Sequence, residues 1–249
     1  MNINTKNFFT KYQHIRITSD IDMKNLYLNA YIITQGILDE VLKNHYSEVT
    51  AIDIRYLVKA FNIEIVETKM KLSTELFQYG TPGYLDNYGY KGNERLWTMY
   101  INESMGDLSK RYIIAYEFAH YLLINLSQES KDNKIECCTN PLFPKKTIEQ
   151  LCDLLATFLL MPLKTVLRLM DNYVKKCQEE NSGPIDMYDW LHYLGCKMGV
   201  SDYHTVLCFQ HVRYLGGIIH EIQQQDPNCE RFNKEFYAEI KQFYTELFK

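Results

Sequence analysis

The sequence predicts a mainly helical α+β protein with one small sheet. Three observations lead there. Apolar side chains recur at helical spacing over most of the chain, and only two short runs have strand character. No internal repeat or low-complexity tract breaks the pattern. At 249 residues, 46% hydrophobic and 23% charged, the chain is long enough for a sizeable core in one large or two small domains.

From about Asp20 to His45 the positions Ile21, Leu26, Leu28, Tyr31, Ile32, Gly36, Leu38, Val41 and Leu42 fit a long amphipathic helix. Asp53 to Phe61 reads as a short helix, with Asn62 as its αL cap. Ile63-Glu64-Ile65-Val66-Glu67 follows as a strand. The glycine-rich stretch 79–93, with Pro82, predicts turns and a hairpin, and Trp97 to Asn102 a second strand. Asp107 or Ser109 can cap a helix running to about Leu126. Residues 127–146 read as a polar loop containing Cys137-Cys138. Thr147-Ile148-Glu149-Gln150 has capping-box form and opens a helix that Pro162 closes. Further helices are expected near 163–177, 186–197, 202–214 and 230–248, with a linker from Glu179 to Pro184. The apolar stripe of 230–248 suits core packing.

Composition excludes several classes. A formal net charge of −4 argues against a polyanion-binding surface. No apolar run approaches the ~18 residues of a membrane span, and Met1-Asn2-Ile3-Asn4-Thr5-Lys6 lacks a signal-peptide core. Seven cysteines without scaffold spacing fit a reduced, cytoplasmic setting.

The chemistry concentrates in Arg111-Tyr112-Ile113-Ile114-Ala115-Tyr116-Glu117-Phe118-Ala119-His120-Tyr121-Leu122-Leu123. In H-E-x-x-H, two histidines four apart hold zinc from one helix face while the glutamate takes a proton from the metal-bound water. Here Glu117 and His120 are in place, and Tyr116 stands where the first histidine would be. Taken alone, E-x-x-H also describes a helix with a packed core histidine and a peripheral glutamate. The next helix shifts the balance: Glu149 and Asp153 lie on the same stripe as Cys152, Ala156 and Leu159. Inward carboxylates need donors or a cation. A glutamate from a second helix is the usual third zinc ligand, although Glu149 also fits the capping box.

These segments resemble the ImmA/IrrE family of bacterial and phage metallopeptidase-like proteins. The resemblance is carried by Phe61-Asn62-Ile63-Glu64-Ile65-Val66, by Tyr100-Ile101-Asn102-Glu103 with the motif helix, and by Glu149-Gln150-Leu151-Cys152-Asp153 through Leu159-Leu160-Met161-Pro162. It covers roughly residues 50–215. It implies a zincin-like metallopeptidase core with a three-stranded sheet, and a family role in cleaving helix-turn-helix repressors that control mobile elements or stress genes. His120 and Glu149 match two zinc ligands, Glu117 the general base and Asp153 a position that could orient a ligand. Tyr116 matches the remaining ligand and departs from it. A phenol of ordinary pKa ~10 must ionise to bind metal well, and it reaches further than an imidazole. Zinc lost or weakly held is therefore expected, with catalysis weakened or absent. The alternative is an active zinc-dependent endopeptidase using Glu117.

Thiolates of Cys137-Cys138 could compensate, as could His192, His204, His211 or His220. His204 and His211, however, share a helical face with Leu207 and Cys208, the pattern of a packed pair. Residues 189–207 have a helix–Gly-Val-Ser–helix form resembling the family's helix-turn-helix-like region. Its second helix offers only Gln210 and Arg213 to a nucleic acid, so a DNA-binding regulator is disfavoured. The expected organisation is an N-terminal helical segment over 1–50, a peptidase-like core over 51–178 and a C-terminal helical region over 185–249. The expected partner is a protein or peptide of repressor type, with neither nucleic acid nor membrane.

Overall fold

Local capping starts most of the helices where the sequence places them. In a computed structural model, which describes residues 3–12, 22–43, 50–70, 83–91, 94–126, 145–180 and 185–225, helix α1 spans Thr5–Tyr12 and α2 spans Met23–Leu42. The Asp22 carboxylate accepts from Asn25 N–H at 2.9 Å, satisfying one of the first-turn donors of α2. A Cβ on Gly36 of α2 would lie 1.8 Å from the Tyr12 hydroxyl, so its bare backbone lets α1 pack against α2. Asp53 caps α3 (Ile54–Ala60) in the same way, accepting from Tyr56 N–H at 3.0 Å. Asn62, at φ 59°, turns the chain into the first strand.

The sheet has the order β1-β3-β2. Strand β1 (Ile63–Thr68) runs parallel to β3 (Glu94–Asn102), pairing Ile63 with Trp97 and Thr68 with Asn102. Strand β2 (Gly83–Lys91) lies antiparallel on the other edge of β3, with a bulge between Asn87 and Gly89. Trp97, Met99 and Ile101 alternate onto the buried face. The β2–β3 hairpin was expected, but most of the glycine-rich stretch is strand rather than turn. β3 pairing satisfies its backbone, and the bulge takes up Gly89, at φ 156°.

Helix α4 (Asp107–Leu126) lies against the sheet and against α5 (Lys145–Leu160), and α5 also packs on α2 and on α8 (Asp202–Gln225). A Cβ on Gly83 would come within 2.7 Å of Ile113 Cγ2, so β2 approaches α4 closely there. Leu151, Leu154, Leu155, Phe158, Leu159 and Leu160 are all buried, which makes α5 a core helix apolar around most of its circumference. Each such fully buried side chain contributes about 2 kcal/mol of transfer free energy. Pro162 N-caps α6 (Leu163–Glu179), and Gly199, at φ 65°, ends α7 (Met187–Met198).

Three boundaries depart from the sequence expectation. Helix α4 already includes Asp107 and Ser109, so neither is its N-cap. Helix α5 begins at Lys145, so Thr147 lies inside the helix and not at its N-cap. Helix α8 runs on to Gln225, past the expected end near 214, because Leu215, Ile218 and Ile219 continue the buried stripe. The Cys137-Cys138 loop, the 181–184 linker segment and the 230–248 helix lie outside the described residues. Among the described residues no single helix is long and apolar enough to cross a membrane.

Candidate functional site

The site forms where one face of α4 meets one face of α5. Tyr112, Tyr116 and His120 follow each other at helical i,i+4 spacing, with Glu117 buried beside them. Glu149, Cys152 and Asp153 face them from α5.

The Tyr116 hydroxyl donates a hydrogen bond to Glu149 Oε2. His120 Nε2 lies 3.8 Å from that same oxygen, and its ring sits edge-on to Tyr116 at 5.2 Å. One layer further along, the Tyr112 hydroxyl donates to Asp153 Oδ1 at 2.8 Å. His204 of α8 stacks over the Tyr112 ring at 4.0 Å and 17°, while Ser201 Oγ lies 2.8 Å from its Nδ1. His211 Nδ1 meets the Tyr27 hydroxyl at 2.7 Å. His204 and His211 are thus packed against aromatic partners, as their shared face predicted.

Burial dominates the electrostatics. It pushes the Glu117 carboxyl up from its ordinary 4.5 to about 7, with the negative charge of Glu149 acting in the same direction. Burial pulls the His120 imidazole down, against the opposing pull of Glu149 and Asp153. At neutral pH the His120–Glu149 approach is therefore not a full ion pair. The Tyr116 phenol is pushed far up, first by burial and then by donating to Glu149, so it keeps its proton. Burial likewise holds the Cys152 thiol protonated. Asp153 is raised by burial, partly offset by the Tyr112 hydrogen bond.

Sequence reasoning placed Tyr116, Glu117, His120, Glu149 and Asp153 on two facing helices, and the structure brings all five together. Among the described residues, no group of three His, Cys, Asp or Glu side chains is positioned to hold a metal ion. The IrrE N-terminal-like domain model (Peptidase_M78) matches residues 58–197, which include α4, α5 and the site residues Tyr112, Tyr116, Glu117, His120, Glu149, Cys152 and Asp153.

The chain belongs to the IrrE N-terminal-like family.

No curated protein matches it. Within this family member, the α+β, mainly helical architecture with a three-stranded sheet is as expected. What sequence reasoning missed is the frame around the site. Arg111, one residue before Tyr112, sends its guanidinium to Gly199 O at 2.8 Å, Ile52 O at 2.8 Å and Met198 O at 3.3 Å. It thereby ties the site helix to the end of α7 and to the segment before α3. Lys110, almost fully buried, reaches Glu67 Oε2 of β1 at 2.6 Å. A basic pair at the start of an otherwise apolar helix was the available signal for both.

Proposed function

We propose that this metallopeptidase-fold protein has exchanged its zinc site for a hydrogen bond between Tyr116 and Glu149. It acts by binding a regulatory, repressor-type protein, with hydrolysis weakened or lost. The observation that carries this is the Tyr116–Glu149 hydrogen bond. A catalytic zinc needs three protein ligands and an open position for water. His120 and Glu149 offer two donors. The third position holds a protonated phenol that spends its proton on Glu149, one of the two donors. This donor set does not fit a catalytic zinc. The repressor-type partner rests on the family resemblance, and the acidic net charge favours protein over nucleic acid as the partner.

One observation favours a second reading, an active zinc-dependent endopeptidase. Glu117, with its carboxyl near 7, is tuned as a general base working at neutral pH would be. Elemental analysis of the purified protein and of Tyr116→His separates the two. The proposal expects less than about 0.1 zinc per chain in the unaltered protein and close to one in the variant. Stoichiometric zinc in the unaltered protein would overturn it.

A further inference from the structure

Away from this site, at the junction of α7 and α8, the side chains of Cys196, His192 and Asp202 form a linear array. His192 and Cys196 are four residues apart on α7 and share its exposed face. The turn through Gly199 brings Asp202, the first residue of α8, back beside them. Asp202 Oδ1 lies 3.0 Å from His192 Nδ1, and the other ring nitrogen, Nε2, lies 3.6 Å from Cys196 Sγ. A carboxylate facing Nδ1 assigns the proton to that nitrogen and leaves the Nε2 lone pair aimed at the thiol. Carboxylate, imidazole and thiol in this order are the arrangement in which a positioned base activates a sulfur nucleophile.

We propose that Cys196, served by His192 and Asp202, is a modification site at which the protein forms a mixed disulfide with a small-molecule disulfide. The thiol proton passes to His192 Nε2, and the Cys196 thiolate attacks one sulfur of the small disulfide. The reagent's S–S bond breaks as the new S–S bond to Cys196 forms. The departing thiolate takes the proton back from His192, so one protein thiol and one disulfide become one mixed disulfide and one free thiol. The three side chains are exposed, so a small reagent reaches the sulfur directly. Cys152 and Cys208, by contrast, are buried, and burial holds both thiols up.

The test is the rate of adduct formation at Cys196 with 2-hydroxyethyl disulfide near pH 7, read by peptide mapping and mass spectrometry. Native protein should react at Cys196 at least about fivefold faster than the same protein in urea. His192→Ala should remove that advantage, and Asp202→Asn should lower the rate about twofold. Both changes are at exposed positions, so the fold is retained. A native rate no higher than the rate in urea, or a rate unchanged by His192→Ala, overturns the proposal.

Discussion

Glu117→Gln isolates the electrostatics of the site in one substitution. The folded chain holds the Glu117 carboxyl at about 7 against an ordinary 4.5, through burial and the neighbouring Glu149. A tenfold difference in proton affinity is about 1.4 kcal/mol, so the ionised form costs the folded state about 3 kcal/mol. The sign follows from the raised value. Stability associated with Glu117 is fully present below pH 4.5, falls as pH rises through the interval, and levels off above about 7. Glutamine resembles the protonated acid and does not ionise. The variant should therefore be close to the unaltered protein at pH 5 and more stable by about 3 kcal/mol at pH 8. For a chain of this size that is about 6–12 °C in thermal midpoint. Thermal unfolding of both proteins across pH 5–8.5 measures the difference directly. A difference that stays constant with pH refutes the reasoning, because it means Glu117 is solvated or is held ionised by a cation.

Three other outcomes follow from the same structure. The histidines His120, His204 and His211 are all held down by burial, so their contribution is complete above pH 6.5 and is lost as pH falls below it. Unfolding of Glu117→Gln, with that opposing carboxyl removed, should show this acid limb, reduced in part by the raised Asp153 carboxyl; a flat profile down to pH 5 contradicts it. Arg111→Met removes a charged donor from three carbonyl acceptors on two other segments and should cost about 3 kcal/mol in denaturant unfolding. A loss below about 1 kcal/mol would mean that the guanidinium does not clamp α4 to α7. Gel-shift experiments with duplex DNA at about 150 mM salt should be blank. Helix α8 exposes Tyr203, Val206 and Tyr214, at 70%, 42% and 50%, where a DNA-reading helix needs cationic and amide side chains.

Helices α2 to α8 and strands β1 and β3 were legible because periodicity and capping are local, whereas α1 was not picked out. The Asp53 side-chain cap and the left-handed Asn62 bracket α3 and lead into β1, and Pro162 ends α5 from within a few residues. The extent of β2 was not legible. Its glycines read as turns until β3 supplies hydrogen-bonding partners that no local pattern encodes. The start of α5 was missed for a related reason, since Thr147-to-Gln150 satisfies the capping pattern while the helix continues one turn earlier.

At the site, the sequence by itself determined which chemical groups are present. Helical spacing put Tyr116, Glu117 and His120 on one helix and Glu149 and Asp153 on another, and both segments fall within the family match over 58–197. Only the tertiary structure decided what those groups do to each other. Packing α4 against α5 sets the Tyr116 hydroxyl on Glu149 and buries Glu117, and it leaves His120 with a shared carboxylate oxygen. Hydrogen-bond partnership and desolvation depend on distances between helices, and the spacing of residues along a chain does not contain them.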